Sequence, residues 1–132
     1  MSESPWKYFS KEELGCHCSE CKENNWHKMD DVFMRLLVQL REKVGFALPV
    51  SSGYRCSAHN QKVSSTGMFG PHTTGKAVDI KIYGEEAYEL VKTALELGFT
   101  GIGINQKGLH ESRFIHLDTL TVEENFPRPN IW

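Results

Sequence analysis

Between Ala77 and Asp118 the hydrophobic pattern changes from a period of two to a helical period and back, which narrows the possible folds more than any other feature. Ala77 to Ile82 alternates, with Val78, Ile80 and Ile82 on one face and Ala77, Asp79 and Lys81 on the other, as a half-buried strand does. Glu85 to Leu97 carries Ala87, Leu90, Val91, Ala94, Leu95 and Leu97 at helical steps, with Gly98 placed to end the helix. Gly101 to Ile104 and Arg113 to Asp118 return to strand character. Upstream, Val32, Phe33, Leu36, Leu37, Leu40 and Val44 recur every three or four residues, so an amphipathic helix stopped by Gly45 is predicted over Met29 to Val44. Leu48 to Ser51 reads as an edge strand, since Pro49 cannot donate to a ladder. A short helix is expected from Ser57, and Val63 to Pro71 holds too many turn formers for a regular element. The expected fold is α+β, a small and mostly antiparallel sheet packed with helices.

With 132 residues and neither repeat nor Gly/Ser linker, the chain is read as one domain over 1–132. Residues 1–28 form a cysteine-containing N-terminal segment, and 121–132 an extended tail with two prolines. Trp6, Tyr8, Phe9 and Trp26 are expected to pack the N-terminal segment onto the domain. A chain of this size buries about two thirds of its unfolded surface, so it does not need a metal merely to fold, and any metal site is a candidate for function. A formal net charge of −2 and a pI of about 6.3 argue against a nucleic-acid partner bound through its phosphates. No run of about 18 apolar residues is present, so no membrane span is expected. Met1 to Ser10 lacks the basic start and apolar stretch of a secretory signal, which points to cytoplasmic synthesis. A monomer is the default.

His72 stands at the mouth of the Ala77 strand and Asp79 on its polar face, with Gly75 between them to permit a bend. An imidazole and a carboxylate are ordinary zinc ligands. In Phe114 to Asp118, alternation puts Phe114, His116 and Asp118 on one face. If this strand lies beside the Ala77 strand, His116 reaches the same point as Asp79 and His72, which makes three protein ligands with a fourth position open. Cys16, Cys18, Cys21 and Cys56 are poorly spaced for a disulfide framework. Free thiols, a second, structural metal site and a disulfide all stay open, and His17 or His27 is available to replace a thiolate.

The run Ser52-Gly53-Tyr54-Arg55-Cys56, then His59-Asn60, then His72 to Asp79 as H-x-x-G-x-A-x-D, then Phe114 to Asp118 as F-x-H-x-D, resembles the M15 family of zinc peptidases over Tyr8 to Thr119. That family includes D-alanyl-D-alanine carboxypeptidases and phage endolysins, and shares its fold with the hedgehog signalling domain. The resemblance implies a catalytic Zn²⁺ on His72, Asp79 and His116, with Arg55 gripping a substrate carboxylate or carbonyl oxygen. It implies hydrolysis of amide bonds next to D-amino acids in peptidoglycan stem peptides, and a source either bacterial or phage, the latter releasing the enzyme to the cell wall. The catalytic base is left between Asp118, which shares a face with His116, and Glu111, with His110 as an assisting proton donor. Two departures stand out. Gly70 replaces a serine that many relatives carry two positions before the first histidine, and Arg113 stands where the best-known branches place their catalytic acid. These departures keep a non-catalytic zinc-containing binding module of the same fold as the alternative, and a cysteine-centred redox or metal-carrier protein as a third reading.

Overall fold

The computed structural model describes residues 4–18 and 24–132. Its α-helices are α1 (Lys11–Leu14), α2 (Asp31–Val44), α3 (Ser57–Val63) and α4 (Gly84–Leu97). Its strands are β1 (Val50–Ser52), β2 (Ala77–Lys81), β3 (Gly101–Asn105), β4 (Phe114–Asp118) and β5 (Asn130–Ile131). The strands make one sheet in the order β1-β2-β4-β3-β5. The first three pairings are antiparallel and β5 runs parallel to β3, so the fold is α+β with a mostly antiparallel sheet, as expected.

The two long helices begin and end where local chemistry dictates. Asp30 caps α2 by accepting a hydrogen bond from the Phe33 amide, and Gly45 closes it in the left-handed conformation at φ +79°. Phe33, Met34, Leu37 and Leu40 of α2 and Leu90 and Ala94 of α4 pack with Val78, Ile80, Ile102, Ile115 and Leu117 from one face of the sheet. Each large side chain so buried contributes roughly 1.5–3 kcal/mol, which fixes that face inward and turns the alternate residues of β2 and β4 to the opposite side.

At the N-terminus, Ser10 and Glu13 form a reciprocal capping box that starts α1. The second Glu13 carboxylate oxygen accepts from the Val50 amide at 3.0 Å, tying this segment to the sheet edge. Phe9 is buried in the core, Trp6 and Trp26 pack against that core and meet each other edge to face, and Tyr8 lies outside under Arg41. The tail does more than lie over the surface. Trp132 donates its amide to Ile102 O at 3.0 Å and accepts from Ile104 N at 2.7 Å, so residues 130–132 extend the sheet beside β3. Among the described residues no helix is long and apolar enough to cross a membrane.

Candidate metal centre

Strand register assembles most of the site. Asp79 on β2 faces His116 on β4, which faces Gly103 on β3, and the next row on the same side is Ala77, Asp118 and Gly101. His72 arrives from a 3₁₀ turn over Pro71–Thr74, and Gly75, at φ +78°, turns the chain from there into β2. A side chain at Gly75 would also collide with Lys28 O, 2.1 Å from the position of its Cβ.

The ring nitrogens are assigned by their partners. His72 Nδ1 lies 2.8 Å from the carbonyl oxygen of Gly53, which only accepts, so Nδ1 carries the proton and Nε2 is left with a lone pair. That Nε2 is 3.2 Å from Asp79 Oδ1, and His116 Nδ1 is 3.1 Å from the same oxygen. A tetrahedral zinc with bonds of about 2.0–2.1 Å has ligand-to-ligand edges of about 3.3 Å, so these separations fit such an ion. All three residues are buried, and their donor atoms lie within 4.8 Å of one another.

Behind His116, a second set of bonds fixes the ring. His116 Nε2 meets Asp118 Oδ2 at 2.7 Å. Arg128 grips both oxygens of Asp118, Nε to Oδ1 at 2.9 Å and Nη2 to Oδ2 at 2.8 Å, and Oδ1 also accepts from the Leu120 amide. Asp118 is 0% exposed, so its oxygens are committed inside the protein. The clamp needs Gly101, since a Cβ there would lie 2.2 Å from Asp118 Oδ1. The Trp132 indole covers the His116 ring at a centroid distance of 5.1 Å.

On the other side, Arg55 donates from Nε to Ser52 Oγ at 3.0 Å and from Nη1 to Asn60 Oδ1 at 3.2 Å, and its Nη2 stands 3.5 Å from Asp79 Oδ2. Asn60 is buried and donates from Nδ2 to Thr66 Oγ1 at 2.9 Å. A Cβ on Gly70 would lie 2.0 Å from that Thr66 oxygen. The space beside Gly70 thus already holds a hydroxyl, brought from four residues earlier.

Electrostatically the cluster favours a cation. Burial pushes the Asp79 carboxyl up, but its contacts with the His116 and His72 imidazoles outweigh this and hold Asp79 well below the usual carboxylate range. Burial likewise raises Asp118, and His116 with Arg128 bring it down to about 2. Burial pushes His116 down, whereas its bonds to Asp118 and Asp79 raise it on balance. Two anions beside an imidazole that gains affinity for positive charge form an environment a metal ion can satisfy as well as a proton.

Glu111 and His110 sit in a 3₁₀ turn, His110–Ser112, before β4 and are exposed. His110 stacks on Tyr83 at 4.2 Å between centroids, and neither residue joins the donor cluster. His17 and His27 are exposed. Cys16, Cys18 and Cys56 converge at a separate place, and Cys21 lies outside the described residues. Asn60 belongs to the His59-Asn60 pair of the motif, whereas Arg128, Trp132 and Thr66 complete the surroundings but carry no local signal. The nearest to one is the pair of prolines flanking Arg128, which mark a restrained backbone.

The family model described as Peptidase M15 matches residues 7–118 of the chain. Neither the curated proteins nor the solved structures contain a match.

Proposed function

The chain belongs to the peptidase M15 family, and on that footing we propose that it hydrolyses amide bonds next to D-amino acids in peptidoglycan stem peptides, as a D,D-carboxypeptidase or an endopeptidase. One observation carries the reading: His72 Nε2, Asp79 Oδ1 and His116 Nδ1 converge with edges that fit tetrahedral zinc. When bound, zinc supplies a water acidified towards neutrality and a Lewis acid for the scissile carbonyl.

The chain's own residues do the rest. Gly53 O sets the tautomer of His72, and Asp118, clamped by Arg128, orients His116. Arg55, held by Ser52 and Asn60, keeps hydrogens on Nη1 and Nη2 to offer a substrate carboxylate or a developing oxyanion. Since both Asp118 oxygens are engaged, that residue acts through His116, and Glu111 is the carboxylate assigned to take the water's proton.

The test pairs zinc analysis with hydrolysis of a synthetic stem peptide, wild type beside His116→Ala and Glu111→Gln. Wild type should turn over with zinc bound, and His116→Ala should lose that zinc and the activity while staying folded. Glu111→Gln should lower kcat by about 10²–10⁴ and remove the acid limb of the pH profile. Retained activity in His116→Ala refutes the site, and retained kcat in Glu111→Gln refutes the base. A second reading, the non-catalytic zinc module, is favoured by the position of Asp118 away from solvent and of Glu111 outside the cluster. Stoichiometric zinc with no turnover of any stem peptide would select it.

A further inference from the structure

Three sulfur atoms from two distant stretches of the chain meet at Cys56, the residue after Arg55 in sequence. Cys18 Sγ lies 3.4 Å from Cys16 Sγ and 3.6 Å from Cys56 Sγ, and the three lie within 4.8 Å of one another. A disulfide needs about 2.05 Å, so no two of these are bonded. A tetrahedral zinc with Zn–S bonds of about 2.3 Å has S···S edges of about 3.8 Å, close to the two contacts measured. The backbone aims donors at the sulfurs. The Cys56 amide points at Cys16 Sγ and the His59 amide at Cys56 Sγ, each at 3.4 Å, and such N–H···S bonds stabilise thiolates. The Arg55 guanidinium lies within Coulombic range of Cys16, and its positive charge favours a thiolate there.

We propose that Cys16, Cys18 and Cys56 form a second, structural metal site that takes a soft-ligand divalent ion of the zinc class, independent of the His72, Asp79 and His116 centre. Thiolates select zinc over magnesium or calcium, and binding releases the thiol protons as the three S–metal bonds form. The site joins the segment after α1 to the loop that carries Arg55. The same two stretches already touch where the Tyr54 amide donates to Leu14 O at 2.8 Å, and where a Cβ on Gly53 would lie 2.5 Å from that oxygen. An ion here crosslinks residues 40 positions apart and holds the backbone on both sides of Arg55.

The experiment uses full-length protein purified under reducing conditions, reconstituted with zinc and, separately, with cobalt(II). Two zinc ions per chain are expected in wild type and one in each of His116→Ala, Cys18→Ser and Cys56→Ser. Cobalt-loaded His116→Ala should keep the near-ultraviolet thiolate-to-cobalt charge-transfer band, and the Cys variants should lose it. Thiol titration of folded wild type should find these cysteines protected until a chelator is added. A single zinc that disappears in His116→Ala overturns the proposal, as does a cobalt spectrum without the thiolate band. The wild-type spectrum needs no variant to fold, and a band that persists when the peptidase assay fails shows that this site stands apart from that reading.

Discussion

Arg128→Ala isolates the connection between the tail and the metal ligands. In the folded protein the guanidinium makes two parallel bonds to a carboxylate that is 0% exposed, and its own side chain is 5% exposed. Truncation leaves Asp118 with His116 and the Leu120 amide but no cation of fixed charge, in a place water does not reach. Removing one partner of a buried ion pair costs about 3–5 kcal/mol. For 132 residues at about 2.1 cal/mol/K each, the unfolding entropy is about 0.28 kcal/mol/K, so the melting temperature should fall by about 11–18 °C. The released carboxylate no longer fixes the His116 ring, and loss of such an outer partner should weaken zinc binding by about 10–100-fold. Calorimetry on the metal-free protein reads the first effect, and chelator competition the second. Arg128→Lys keeps the charge without the fork, and should recover part of the stability and little of the zinc affinity. A melting temperature within 2 °C of wild type would refute the energetic argument. A large drop with unchanged zinc affinity would refute the claim that Asp118 positions His116.

Gly101→Ala should drive the Asp118 carboxylate off Arg128 or His116, because the new Cβ would lie 2.2 Å from Oδ1. A loss of about 1–3 kcal/mol is expected, with weaker zinc binding measured by the same competition, and unaltered zinc affinity would refute it. Arg55→Lys keeps a charge but loses the fork to Ser52 and Asn60, and the raised KM for a stem peptide should be about 10–100-fold with kcat less affected. Equal KM would remove Arg55 from substrate binding. In metal-free protein, Asp118 is held at about 2 in the fold against about 3.9 unfolded. The resulting stability, about 2–3 kcal/mol, is present above about pH 5 and is lost progressively as pH falls through 4 and then 2. Acid unfolding of Arg128→Ala should lack part of that dependence, the His116 bond keeping the rest, and identical slopes in the two proteins would refute the assignment.

The parts of the site that follow from alternation were legible in the sequence. A period of two fixes that His116 and Asp118 share a face and that Asp79 stands opposite Val78 and Ile80, and the core then decides which face is inward. Alternation cannot report what each polar side chain meets. The face Asp118 shares with His116 suits it to act as a base, and the residue that commits it instead to holding the ring, Arg128, reaches it from a tail with no periodic pattern. Gly70 shows the same limit from the other direction. Read along the chain, a glycine where relatives carry serine implies a missing hydroxyl, whereas in the fold Thr66 occupies that space and bonds Asn60, the residue that holds Arg55.

The cysteines follow suit, since spacing proposes Cys16 and Cys18 as neighbours but only tertiary packing brings Cys56 to them. Each of these hidden contacts lies one step behind a residue whose own position was legible. Arg128 stands behind Asp118 and His116, Asn60 with Thr66 behind Arg55, and Cys16 behind the Cys56 backbone next to Arg55. A short motif must present its donors at one point, so its spacing is visible locally. The groups that stiffen those donors need only reach them through space, and any element the fold brings close can supply one.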